Sequence, residues 1–193
     1  GVIVNLNSQN NRIGGTLAGE RNVISGNVSP GVLIQNGANG TLVQGNYIGT
    51  NAAGTAAIAN DGGGVGVNNS ANVTIGGGAA GAGNVISGHT GGGAISLWGG
   101  SMGAVIQGNR IGTDATGTVA IGNRTGISFA GGAWNGLVGG TGAGEGNLIA
   151  NSTFAGVEIY SGSTGVSVLG NSIRSNGTLG IDKSEHTGAR PGK

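Results

Sequence analysis

The segment Gln107-Gly-Asn-Arg-Ile-Gly-Thr-Asp-Ala-Thr-Gly-Thr118 restates, with small changes, a stretch 63 residues earlier, Gln44-Gly-Asn-Tyr-Ile-Gly-Thr-Asn-Ala-Ala-Gly-Thr55. Around it the echo continues. Asn22-Val-Ile-Ser-Gly26 returns as Asn84-Val-Ile-Ser-Gly88, and Ala57-Ile-Ala-Asn60 as Ala120-Ile-Gly-Asn123, at offsets of 62 and 63 residues. A weaker third copy runs through Asn147-Leu-Ile-Ala-Asn151 and Leu169-Gly-Asn-Ser-Ile173. A spacing held this constant is the mark of a repeat architecture.

Each long repeat divides into two shorter units. Segments that start near Gly and alternate apolar with variable residues recur roughly every 30 residues: Gly31-Val-Leu-Ile34, Gly64-Val-Gly-Val67, Gly126-Ile-Ser-Phe129, Gly156-Val-Glu-Ile159. This alternation is the pattern of a strand. Two more short segments follow each one. The first of these closes on Ile13, Val43, Ile75, Ile106, Val138 or Val168; the other runs from Asn through one variable residue to Ile24, Ile48, Ile86, Ile111, Ile149 or Ile173. Three short strands per unit, with Gly/Asn/Ser turns and no helical period, predict an all-β, single-domain parallel β-helix of about six to seven rungs. The solenoid is expected over residues 1–182, where Gly180-Ile-Asp182 begins another rung, and 183–193 read as a tail or linker.

Composition fits this design. Gly alone supplies 48 of 193 residues, aromatics are 3%, charged residues 8%, and the net charge is +1. With so little aromatic bulk, the core must be built from stacked Ile and Val. The low charge argues against charge-driven disorder, and Gly does not fall at every third position as collagen requires. No apolar run approaches the roughly 20 residues of a membrane span. Eight scattered Lys and Arg make no nucleic-acid footprint. With no Cys, and with His89 and His186 far apart in rung order, neither a metal site nor a cofactor is expected. Asn22, Asn46, Asn84, Asn109, Asn147 and Asn171 each stand immediately before the third strand. They are expected to form an internal amide ladder at one corner. Gly-rich excursions follow the second strand at 14–21, 76–83 and 139–146. Longer ones follow the third at 50–63 and 113–125, where Ile58 and Ile121 read as anchors.

Asn72-Val-Thr-Ile-Gly-Gly77, Gly83-Asn-Val-Ile-Ser-Gly88, the Gln107–Thr118 segment and the closing Ser175-Asn-Gly-Thr-Leu-Gly-Ile-Asp182 resemble the right-handed parallel β-helix repeats of large bacterial surface and secreted polypeptides. The resemblance implies the fold and an extracellular or cell-surface location. It implies no activity, since the same fold serves lyases, hydrolases, epimerases and phage tailspikes.

The chain offers few groups for chemistry. Its seven carboxylates fall mostly in different loops. Glu158 and Asp182 are the exception: they occupy matching outward positions of neighbouring first strands, about 5 Å apart if the rungs stack, near the separation of a retaining glycosidase pair. Lys183, Glu185 and His186 follow. Trp98 and Tyr160 hold equivalent positions two rungs apart, with Trp134 in the turn between, so all three can line one edge as platforms for sugar rings. Packing against Gly-rich backbone is the other reading of the same rings. A Thr array of the ice-binding kind is absent, because Ser25, Ser87 and Ala150 interrupt Thr50 and Thr113. The expected role is therefore a non-enzymatic structural module that self-associates through its solenoid ends or joins the rungs of a longer chain. A carbohydrate-binding module and a polysaccharide lyase or hydrolase are the alternatives.

Overall fold

The computed structural model describes residues 1–183. The expected tail lies outside the described residues from Ser184 onward, and so do Glu185 and His186. Over these described residues the chain coils through nineteen short strands in three parallel sheets. The first sheet takes β1 (Val2–Val4), β4 (Val32–Gln35), β7 (Val65–Asn68), β10 (Ile95–Trp98), β13 (Ile127–Phe129), β16 (Val157–Ile159) and β19 (Ile181–Asp182). The second takes β2 (Arg12–Gly14), β5 (Leu42–Gln44), β8 (Thr74–Gly76), β11 (Val105–Gln107), β14 (Leu137–Gly139) and β17 (Ser167–Leu169). The third takes β3 (Val23–Ile24), β6 (Tyr47–Ile48), β9 (Val85–Ile86), β12 (Arg110–Ile111), β15 (Leu148–Ala150) and β18 (Ser172–Arg174). Every third strand is a neighbour, so the described residues form a parallel β-helix of six full rungs with β19 opening a seventh.

The register explains why so few large side chains suffice. Val4, Ile34, Val67, Leu97, Phe129 and Ile159 stack in one column of the first sheet. Ile13, Val43, Ile75, Ile106, Val138 and Val168 stack in the second. Ile24, Ile48, Ile86, Ile111, Ile149 and Ile173 stack in the third. These columns meet in a single core along the axis. Burying one such side chain contributes about 1.5–3 kcal/mol, and no rung closes its core alone. Where a bulkier residue enters, a neighbour shrinks. Phe129, the largest fully buried side chain, occupies the space beside Gly136, where a Cβ would run into its ring. At the turn between the first two sheets the column Asn10, Gly40, Asn72, Gly103, Asn135, Gly165 has positive φ throughout. Only Gly and Asn take that conformation readily.

The expected amide ladder is present and unbroken. Backbone N–H and Nδ2 of Asn22 both donate to Asn46 Oδ1 (3.2 and 2.9 Å), and those of Asn46 to Asn84 Oδ1 (2.9 and 3.1 Å). The same paired bonds run from Asn84 to Asn109, Asn109 to Asn147, and Asn147 to Asn171. Each inner amide also donates backwards, as Asn84 does to Val43 O at 2.8 Å. Each of the four inner rungs is thus tied to both neighbours.

A second ladder, not foreseen, runs along the corner between the third and first sheets through Asn27, Asn60, His89, Asn123, Ser152 and Asn176. Asn27 donates twice to Asn60 Oδ1, His89 N–H donates to Asn123 Oδ1, and Ser152 N–H to Asn176 Oδ1. Asn60, Asn123 and Asn176 also donate to the preceding rung, at Ile24 O, Ile86 O and Ile149 O.

The excursions alternate. Those of the first, third and fifth rungs leave after the second sheet and stack on one another, since a Cβ on Gly81 would strike Thr16 O and one on Gly144 would strike Gly78 O. The long loops of the second and fourth rungs leave after the third sheet and touch through Ala115 N–H donating to Gly54 O (2.9 Å). Two ridges result, one on either side of the third sheet. Of the expected anchors, Ile121 is buried (7% exposed), but Ile58 is 47% exposed. Ile58 lies over Gly26, in the first rung, with no further rung beneath it to close the space among the described residues.

Candidate functional site

Trp98, Trp134 and Tyr160 share one edge of the solenoid. Trp98 ends β10, and Tyr160 directly follows β16 two rungs on, with Ala130 at the intervening rung, where its N–H bonds Leu97 O (2.9 Å). Trp134 belongs to a column of bridges at the next turn, Ala71–Met102–Trp134–Thr164. The three rings are not equally open. The Trp98 ring lies across Gly66, where a Cβ would sit 2.8 Å from it. Tyr160 is half-buried, and its hydroxyl donates to Glu158 Oε2 at 2.7 Å. Trp134 alone stands well exposed, at 40%, beside the exposed Met102. On the N-terminal side of Met102 the same edge opens into a groove of about 550 Å³, lined by Asn7, Asn36, Asn39, Asn69 and Ser70. Amides and an open indole are the groups that hold a neutral sugar, by hydrogen bonds and by stacking.

Glu158 and Asp182 are paired in register across β16 and β19, as their spacing predicts. Their surroundings differ from the expectation of an outward pair. Glu158 is only 5% exposed; besides the Tyr160 bond, Thr125 Oγ1 lies 3.4 Å from the same oxygen. Strand alternation points the side chain outward, but its neighbours cover it. Asp182 is half-buried. Among the described residues no group of three or more His, Asp and Glu is placed to hold a metal ion, and no helix is long and apolar enough to cross a membrane.

Two further carboxylates are held within their own loops. Asp114 Oδ1 accepts from the N–H groups of Thr118 (2.9 Å) and Val119 (3.0 Å) and from the Thr116 hydroxyl. These bonds, Val119 first, pull its pKa down to about 2. Asn51 does the same work in the sister loop, accepting from Thr55 and Ala56 N–H. Glu20 accepts from Leu17 N–H (3.2 Å) and pairs with Arg12 at 2.8 Å, which also lowers its pKa.

No family model matches the chain, and no curated protein or solved structure matches it either.

Proposed function

We propose that this chain is a non-enzymatic structural module of an extracellular or cell-surface protein of the bacterial β-helix repeat kind, which associates end to end with further rungs. The observation that carries this reading is where the uncovered apolar surface lies. Of thirteen exposed large hydrophobics among the described residues, nine lie in the first rung (Val2, Ile3, Leu6, Leu17, Val23, Val28) or at the other end, in the sixth rung and the strand that follows it (Leu169, Leu179, Ile181). Only Ile58, Met102, Val119 and Trp134 are exposed on the flanks between. Strand edges that are both unpaired and apolar are templates for further pairing. The ladders add direction: Asn22 offers an Oδ1 acceptor at one end, and each following amide donates onward to the next rung. A contact between unlike ends is heterologous and propagates into a rod rather than closing as a dimer. The added rungs belong either to a longer parent chain or to a second copy. Negative-stain electron microscopy across a concentration series separates these. Filaments that lengthen with concentration identify a second copy; short rods of constant length at every concentration remove the filament form.

A second reading is favoured by Trp134. An exposed indole beside an amide-lined groove supports a carbohydrate-binding role for the edge that also carries Trp98 and Tyr160. The lyase or hydrolase alternative rests on Glu158 and Asp182, and the burial of Glu158 weighs against it.

A further inference from the structure

The second ladder is built of small amide and hydroxyl side chains except at one rung, where it holds an imidazole. His89 is fully buried. Its backbone N–H donates to Asn123 Oδ1 at 3.0 Å, as an Asn in this position would. Its side chain fits less well. Nδ1 lies 3.3 Å from both the N–H and the carbonyl of Asn60, and among the described residues Nε2 has no hydrogen-bond partner. The ring lies against Gly49 and Gly64, where a Cβ would meet Nε2. If Nδ1 accepts from Asn60 N–H, the proton sits on Nε2 and is an unmet buried donor. If Nδ1 carries the proton, it donates to Asn60 O, and Asn60 N–H loses its acceptor. A doubly protonated ring does both kinds of harm and adds a charge.

We propose that His89 is an acid-sensitive fastener, whose neutral ring packs between the second and third rungs, whose backbone holds the fourth, and whose protonation releases them. The elements packed around it supply no counter-charge. From the second rung come Gly49 and Asn60, with Asp61 next in sequence but exposed; from the third, Ile86 and Gly64; from the fourth, Asn123 and Arg124. Arg124 donates its backbone N–H to His89 O, while its guanidinium lies over the Phe154 ring at 5.2 Å. Among the described residues no carboxylate pairs with the imidazole. Burial accordingly lowers its pKa below 6.5; the Asn60 carbonyl acts the other way, as does that of Ile48, also of the second rung, which faces the ring without forming a hydrogen bond to it.

The direction of the effect follows. The unfolded chain binds a proton more readily at this site than the folded one. The folded state therefore keeps its full stability above pH 6.5 and loses it as the pH falls from 6.5 towards the depressed folded value. In that interval the folding constant drops by up to about tenfold per pH unit.

The test compares thermal and urea unfolding of the protein and of His89→Asn between about pH 8 and pH 4. Asn at this position has a ready set of partners, with Oδ1 to Asn60 N–H and Nδ2 to the preceding rung as Asn60, Asn123 and Asn176 make them. The expected result is a midpoint that falls on acidification in the parent and stays level in the variant over the same interval. Should His89→Asn fail to fold, His89→Gln and an NMR titration of the ring in the parent answer the same question. Parallel pH profiles in parent and variant, or a His89 ring that titrates at the value of an exposed histidine, overturn the proposal.

Discussion

The ring of Phe129 occupies the volume that a side chain at position 136 would need, two sheets meeting at one residue pair. Substituting Gly136→Ala forces the ring or the backbone to move, and is expected to destabilise by about 1–3 kcal/mol. Adding Phe129→Leu to Gly136→Ala should recover part of that loss, although Phe129→Leu alone opens a gap. Urea unfolding of both single variants and the double variant checks this through their non-additivity.

Position within the amide ladder sets the expected cost of breaking it. Asn84→Ala leaves the buried Asn46 N–H without its acceptor and removes an Nδ2 donor from Val43 O, while Asn109 Oδ1 keeps the backbone N–H of residue 84 and Asn46 Nδ2 keeps Ile13 O. Each unmet buried group costs about 1–3 kcal/mol. Asn22→Ala, at the end of the ladder and partly exposed to water, should cost less than half as much. Equal losses at the two sites, measured by equilibrium denaturation, would mean that the ladder does not act through burial.

Asp114 closes its loop by accepting bonds, and Asn51 closes the equivalent loop without a charge. Asp114→Asn is therefore expected to keep the loop, and Asp114→Ala to free it. With the folded pKa at about 2, below the ordinary 3.8, the closed loop gains stability above pH 3.8 and loses it as the pH falls towards 2. Amide exchange at Thr118 and Val119 reads both effects, and the Asn variant should lack the acid dependence.

The three aromatic residues separate by what each ring touches. Trp134→Ala is expected to weaken retention on immobilised glycans and leave the unfolding midpoint within about 0.5 kcal/mol of the parent. Trp98→Ala uncovers Gly66 and should lower stability. Glycan retention that survives Trp134→Ala removes the carbohydrate reading of this edge.

The strands and the first ladder were legible because their residues keep a fixed place: Ile two positions after Asn, in every rung. The second ladder obeys an equally simple rule that the excursions conceal. Its members stand three residues after the third-strand Ile in the rungs of Ile24, Ile86, Ile149 and Ile173, but twelve after it where a long loop intervenes, from Ile48 to Asn60 and from Ile111 to Asn123. The identity of Asn60 and Asn123 in the long repeat was the available signal. Glu158 shows the limit of alternation. Period-two reading gives the direction of a side chain, while burial depends on Tyr160, just past the same strand, and on Thr125 from the preceding rung.

The ridges give the first five rungs a parity. The first, third and fifth carry their excursion on one side of the third sheet and the second and fourth on the other, while the sixth turns without one, and each excursion rests on the one two rungs away. Removing a single rung would set an excursion against a tight turn and strand the Thr16–Gly81 and Gly54–Ala115 contacts. Removing two would leave every contact of that kind with a successor. The quantum in which this molecule can lengthen or shorten is thus the pair, and a lineage of such chains should differ in steps of 62 or 63 residues, the interval already written between Gln44 and Gln107 and between Asn22 and Asn84.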